Sequence, residues 1–135
     1  MSNRGKYNTT IRWEKRIDHA LKSIGDRSEL SRSPLAEIDF IVKLASQRYS
    51  SHLMPRGLAL HDVLLACVNK ISKELDDEPG LSHACNYLQL LVKGFSCKEI
   101  SRQLGLSREH VSRVYRKKAL ALLIEEFQLT VSNHG

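Results

Sequence analysis

Apolar residues along this chain recur at three- and four-residue steps rather than at alternate positions, which predicts helices and no strands. Trp13, Ile17, Ala20, Leu21 and Ile24 form a first stripe, predicting a helix over about 10–24 that Gly25-Asp26 ends. Leu35, Ile38, Val42, Ala45 and Tyr49 form a second, over 34–49, with Ser33 as N-cap and Pro34 at the first helical position. Residues 51–57 read as a loop, broken by Pro55 and Gly57. The most apolar stripe of this half follows: Leu60, Val63, Leu64, Cys67, Val68, Ile71 and Leu75 predict a third helix over 58–75.

"DDEPG" (76–80) joins an acidic run to a Pro-Gly breaker and is the best boundary candidate. It divides the chain into an N-terminal helical region, 1–80, and a C-terminal region, 81–135. In the latter, Ser82 is expected to cap a helix ending at Lys93-Gly94, with Gly94 in the left-handed conformation. A last helix over 119–129 carries Leu120, Leu123, Ile124 and Phe127, more apolar surface than one small domain obviously needs.

Between them lies "SCKEISRQLGLSREHVSRVYRKKAL" (96–120). Ser96 with Glu99 three residues on makes a capping box. Counted from Cys97, the positions where two steeply crossing helices touch are filled by Ile100, Leu104, Leu106, Val111 and Val114. The close-approach position is Ser101, and the corner position, which needs a positive φ, is Gly105. Ser107 then caps the second helix. This is the pattern of a helix-turn-helix, with a recognition helix over about 108–124.

Charge follows the same stretch. The net charge is +6. Residues 93–118 hold eight Lys or Arg against two Glu, whereas residues 1–80 hold thirteen basic against eleven acidic residues. Such a distribution favours a polyanionic partner. Arg108, Glu109, Ser112, Arg113, Arg116 and Lys117 are expected on the outward face. There Arg can bridge guanine O6 and N7, Glu can accept from cytosine N4, and Lys117 is better placed for phosphate. Ser96, Lys98 and Ser107 flank that face, and Ser96 and Lys98 could offer donors to the same strand. The basic arm "NRGKY" (3–7) before the first helix could follow a groove or phosphate track, or form a tail.

"LLVKGFSCKEISRQLGLSREHVSRVYRKKALALL" resembles the four-helix DNA-binding domain shared by LuxR/NarL-type regulators and sigma factor region 4. Gly94, Ser96, Glu99, Ile100, Ser101, Leu104, Gly105, Leu106 and Ser107 match its central motif. The tail, with Ser107-Arg108-Glu109, Val111 and Lys118-Ala119-Leu120, is closer to region 4. The LuxR-type opening is replaced by Leu81-Ser82-His83-Ala84-Cys85, which lacks its acidic pairing. A fainter likeness links "ELSRSPLAEIDFIVKLASQR…PRGLALHDVLLACVNKI" to the helical segment preceding such motifs in some large NTPase-linked bacterial regulators.

The expectation is therefore an all-α protein, an N-terminal helical segment followed by a four-helix helix-turn-helix domain. It is expected to bind double-stranded DNA as a sequence-specific transcriptional regulator, as a homodimer in the bacterial cytoplasm at the nucleoid, with RNA polymerase as a further contact. The alternative is an adaptor that docks on polymerase or another protein. Nothing predicts an enzyme: there is no Gly-rich phosphate loop, no paired carboxylates in a cleft and no nucleophile beside a base. The three cysteines and six histidines lack metal-ligand spacing, so no metal or cofactor is expected, and no apolar run reaches membrane-span length.

Overall fold

The structure, a computed structural model, describes residues 13–75, 78 and 81–133, and the described residues contain helices and no strands. The described part of α1 covers 13–22; α2 is Arg27–Arg32, α3 Asp39–Tyr49, α4 Pro55–Leu75, α5 Ser82–Val92, α6 Cys97–Leu104, α7 Arg108–His110 and α8 Arg116–Asn133. A 3-10 turn, Pro34–Glu37, precedes α3, and a π-helical turn, Val111–Tyr115, joins α7 to α8. No described helix is long and apolar enough to cross a membrane. The start expected for α1 at residue 10, the basic arm, and most of 76–80 lie outside the described residues.

Two elements of the N-terminal half depart from the periodicity. Asp26 does not merely end α1. Its carboxylate accepts from the Ser28 and Glu29 amides at 3.0 and 3.2 Å and so caps the unexpected α2. Ser33 does accept from the Leu35 amide, at 3.2 Å, but what it caps is the 3-10 turn and not a helix reaching 49. Ile38 is extended (ψ 135°), so α3 begins afresh at Asp39 with a changed phase that buries Ile41 and Ala45 and leaves Val42 half-buried.

Helix α4 organises the core. It packs against α2, α3, α5 and α8. Its buried positions, among them Ala59, Leu60, Val63, Leu64, Val68 and Ile71, span an arc of roughly 220° at 100° per residue. Buried side chains from both sides of residues 76–80 form one hydrophobic cluster. At its edges, Asp62 of α4 accepts from the Tyr49 hydroxyl of α3, and Lys70 bonds Glu126 of α8 at 3.0 Å.

Pro55 and Gly57, expected to break the chain, lie inside the first turn of α4. Proline suits that position because the first helical N–H groups have no intrahelical acceptor. Glycine is required by proximity: a Cβ on Gly57 would stand 2.3 Å from the Arg27 carbonyl oxygen of α2. The start of α5 also differs. Leu81 occupies the N-cap without a side-chain bond, and Ser82 is the first helical residue.

The C-terminal helix is one continuous run rather than two. His110, Val111 and Arg116 are all right-handed helical, so α7, the π turn and α8 follow one another without a break in the helical backbone. Its apolar residues mostly complete the core of the chain: Leu123 and Phe127 are fully buried, and Leu120 and Ile124 are partly buried against the same core. Trp13 of α1 lies on Phe127 with ring centroids 5.7 Å apart, while Asp18 reaches Arg116. Helix α1 therefore runs antiparallel along the C-terminal helix.

The close approach at Gly57 gives a direct test. Gly57→Ala drives a methyl into backbone, which cannot rotate away, and is expected to cost about 2–3 kcal/mol by urea unfolding. Gly25→Ala, with open space around it, is the control and changes stability far less.

Candidate nucleic-acid interface

The corner between α6 and α7 is built from local chemistry. Ser96 Oγ accepts from the Glu99 amide at 3.3 Å, and Glu99 Oε1 accepts from the Ser96 amide at 3.4 Å, closing the capping box. Helix α6 stops at Gly105, whose φ of 69° is left-handed, and the Leu106 amide returns to the Ser101 carbonyl. Ser107 Oγ then accepts from the His110 amide at 3.1 Å and starts α7. Gly94, before α6, has φ 96°, as its place after α5 requires.

Packing at the corner follows the expected positions with a gradation. Ile100 and Val111 are fully buried and Ser101 nearly so, with its Oγ donating to the Lys98 carbonyl. Leu104, Leu106 and Val114 are half-buried. A small side chain at Ser101 suits the close crossing of the two helices.

The outward residues divide into two rows. Glu109, Arg113 and Lys117 are exposed and point to solvent, with Glu109 and Arg113 paired at 3.6 Å. That pair is open to water and is worth only about 0–1 kcal/mol, so either partner exchanges it readily. Arg108, Ser112 and Arg116 form the second row. It faces a cleft closed on its far side by the end of α1 and the turn after it.

Arg116 is the main correction to the sequence reading. Expected outward, it is instead half-buried and bonds Asp18 at 2.5 Å. The hydrogen bond to Asp18 raises the guanidinium's pKa further above its already high value. The π turn accounts for the placement. The Arg116 amide bonds the Val111 carbonyl, five residues back instead of four, so the extra residue turns Arg116 toward the covered side. Ser96 is a smaller correction: both its amide and its hydroxyl are held by Glu99, which leaves neither free for a strand of nucleic acid. Lys98, Ser107 and Lys118 are exposed as expected.

Three further features border this surface. Tyr115 stands between His83 of α5 and His110, with ring centroids 5.0 and 5.3 Å away. Tyr87 is buried beneath the corner with its hydroxyl 3.6 Å from Cys97 Sγ. Burial, with the Cys97 contact added, pushes the Tyr87 hydroxyl well above the ordinary tyrosine range. Asp18 is the third. Nothing in the sequence links it to a residue almost a hundred positions on, whereas the polar–aromatic pairing of 110 and 115 is at least local. Among the described residues, no group of histidine, cysteine and carboxylate side chains could hold a metal ion. The chain matches no family model, no curated protein and no solved structure.

Two outcomes test this geometry. A Cβ on Gly105 would have nothing within 4 Å, so Gly105→Ala meets only backbone strain and is expected to cost about 1–2 kcal/mol in chemical unfolding. Gly105→Asn, which tolerates the left-handed region better, costs less. The second concerns pH. The folded state holds the Tyr87 proton above the value of roughly 10 at which an unfolded tyrosine loses it, so this contribution is complete below pH 10 and lost as pH rises beyond it. Tyr49, raised by its bond to Asp62, and Cys67, raised by burial, pull the same way. Stability measured by urea unfolding is expected to fall between about pH 10 and 12, and less steeply in Tyr87→Phe.

Proposed function

We propose that residues 81–133 form a helix-turn-helix DNA-binding domain similar to those of LuxR/NarL-type regulators and sigma factor region 4. In this reading the protein is a sequence-specific transcriptional regulator. One observation carries it. The helix that follows the glycine corner starts on a side-chain cap and presents Arg108, Glu109, Arg113 and Lys117 outward, beside Lys98 of α6. A recognition helix entering a major groove needs its first two turns exposed and cationic, with its opposite face anchored. Val111 supplies the anchor.

The roles follow from exposure. Arg113, and Arg108 at the mouth of the cleft, would read guanine; Glu109 would accept from cytosine N4 once Arg113 leaves it for the DNA. Lys98, Lys117 and Lys118 would meet phosphates. Arg116 is a positioning residue: tied to Asp18, it fixes the phase of the helix. Reading by one such helix covers few base pairs, so selective binding calls for a second copy on a neighbouring half-site, about 34 Å away. An adaptor that docks on RNA polymerase would need no exposed row of cations at this end.

Selection from a randomised duplex library at near-physiological salt tests the proposal. A palindromic site should be enriched, with affinity falling steeply as salt rises. Arg113→Ala should weaken that site by about 1–3 kcal/mol, relax its specificity at one base pair, and leave the unfolding midpoint unchanged. Arg116→Ala should lower the midpoint. Weak, sequence-blind binding unaffected by Arg113→Ala would sink the regulator reading and favour a protein partner.

A further inference from the structure

The cleft beside the second row of the C-terminal helix has a volume of about 630 Å³ and lies between α1, the end of α5 and the start of α7. Its floor is apolar. Leu21 and Tyr87 are buried there, and Leu91 and Phe95 are half-buried, each with part of its surface toward the opening. A space of this size, with an apolar floor and a polar, charged rim, has the form of a site for an amphipathic small molecule.

Charge at the rim selects the ligand class. The two acids there are already committed within the chain. Asp18 is shared by Arg116 at 2.5 Å and Lys22 at 3.2 Å, and Asp26 holds the first amides of α2. Arg108 is different: among the described residues it has no ion pair and no side-chain hydrogen bond, and it is exposed at the mouth. Ser112, one turn along on the same side, adds a half-buried hydroxyl that lines the cleft. One uncommitted guanidinium and one hydroxyl above an apolar floor form a receptor for a planar anion carried on an apolar body.

We propose that this cleft binds a small amphipathic carboxylate. The carboxylate takes the Arg108 guanidinium and the Ser112 hydroxyl, and the apolar body lies against Leu91 and Phe95. Binding stands on the cleft alone. Its consequence rests on the regulator reading: Arg108 belongs both to the cleft and to the outward face, so a bound carboxylate competes with DNA for it. The N-terminal helix thereby becomes the wall of an effector site and not only a brace.

The test uses the full chain with 2-naphthoate as probe, followed by titration calorimetry and by amide chemical shifts. Saturable one-site binding is expected, with shifts confined to 21–26, 91–97 and 108–112. The neutral 2-naphthalenemethanol and the bodiless acetate should each bind at least tenfold more weakly. Arg108→Ala, at an exposed position that leaves the core intact, should reduce naphthoate affinity at least tenfold. Equal binding by the alcohol, undiminished binding by Arg108→Ala, or shifts centred elsewhere would overturn the proposal, as would no saturable binding. A DNA titration with and without naphthoate keeps the two readings apart. Carboxylate binding without any specific DNA site defeats only the regulator reading; a specific DNA site without carboxylate binding defeats only this one.

Discussion

Helix α4 imposes the constraint on which the rest of the molecule depends. Its wide apolar arc cannot be covered by one neighbour, so α2, α3, α5 and α8 all pack onto it. Each fully buried aliphatic side chain on that arc contributes about 1.5–3 kcal/mol relative to exposure. Close packing on one side is secured by the absence of a side chain at Gly57, which lets α2 lie against the first turn of α4. On the other side, Lys70–Glu126 and Cys67–Thr130 set the register of α8. The position of the candidate interface follows from that register, because α8 is the continuation of the helix that carries it.

Around the corner at Gly105, three short-range devices do the positioning: a capping box, a left-handed glycine and a second side-chain cap. None requires the core, and each satisfies backbone groups that a helix end would otherwise leave without partners. The core supplies what they cannot, the face on which the second helix rests. Ile100 and Val111 fix it, and the small Ser101 lets the two helices approach. A surface built in this way is buried at its base and exposed at its tip.

The π turn makes the C-terminal helix more than a straight rod. Beyond it the side chains are rotated, so Arg116 leaves the exposed face and joins α1 through Asp18, while Arg113 stays outside. The ion pair is less than a third exposed on both sides, and breaking it would leave a poorly hydrated charge. Trp13 on Phe127 holds the other end of α1. First and last elements are thus tied together along their length, and the gap near their ends becomes the cleft. Whatever occupies that cleft touches both the brace and the row of Arg108 and Ser112.

Helix content, the corner, both left-handed glycines and the caps at Ser96 and Ser107 were legible in the chain because each depends on residues within a few positions of one another. Periodicity also marked the core face of α1 and α4, since burial repeats with the helix itself. Where the pattern misled, distant atoms decided. Pro55 and Gly57 look like a break until α2 is seen to need the space, and Leu120 to Phe127 look surplus until α4, α5 and Trp13 cover them. The helix from 34 to 49 gave way to a 3-10 turn and an extended Ile38, although every residue in it tolerates a helix. Arg116 is the clearest case: local sequence makes it an exposed cation, and only the π turn with Asp18 brought alongside makes it a brace. Backbone capping and periodic burial are short-range properties that a sequence carries in itself, whereas the partner of a charge and the space left for a side chain exist only once the chain has folded onto itself.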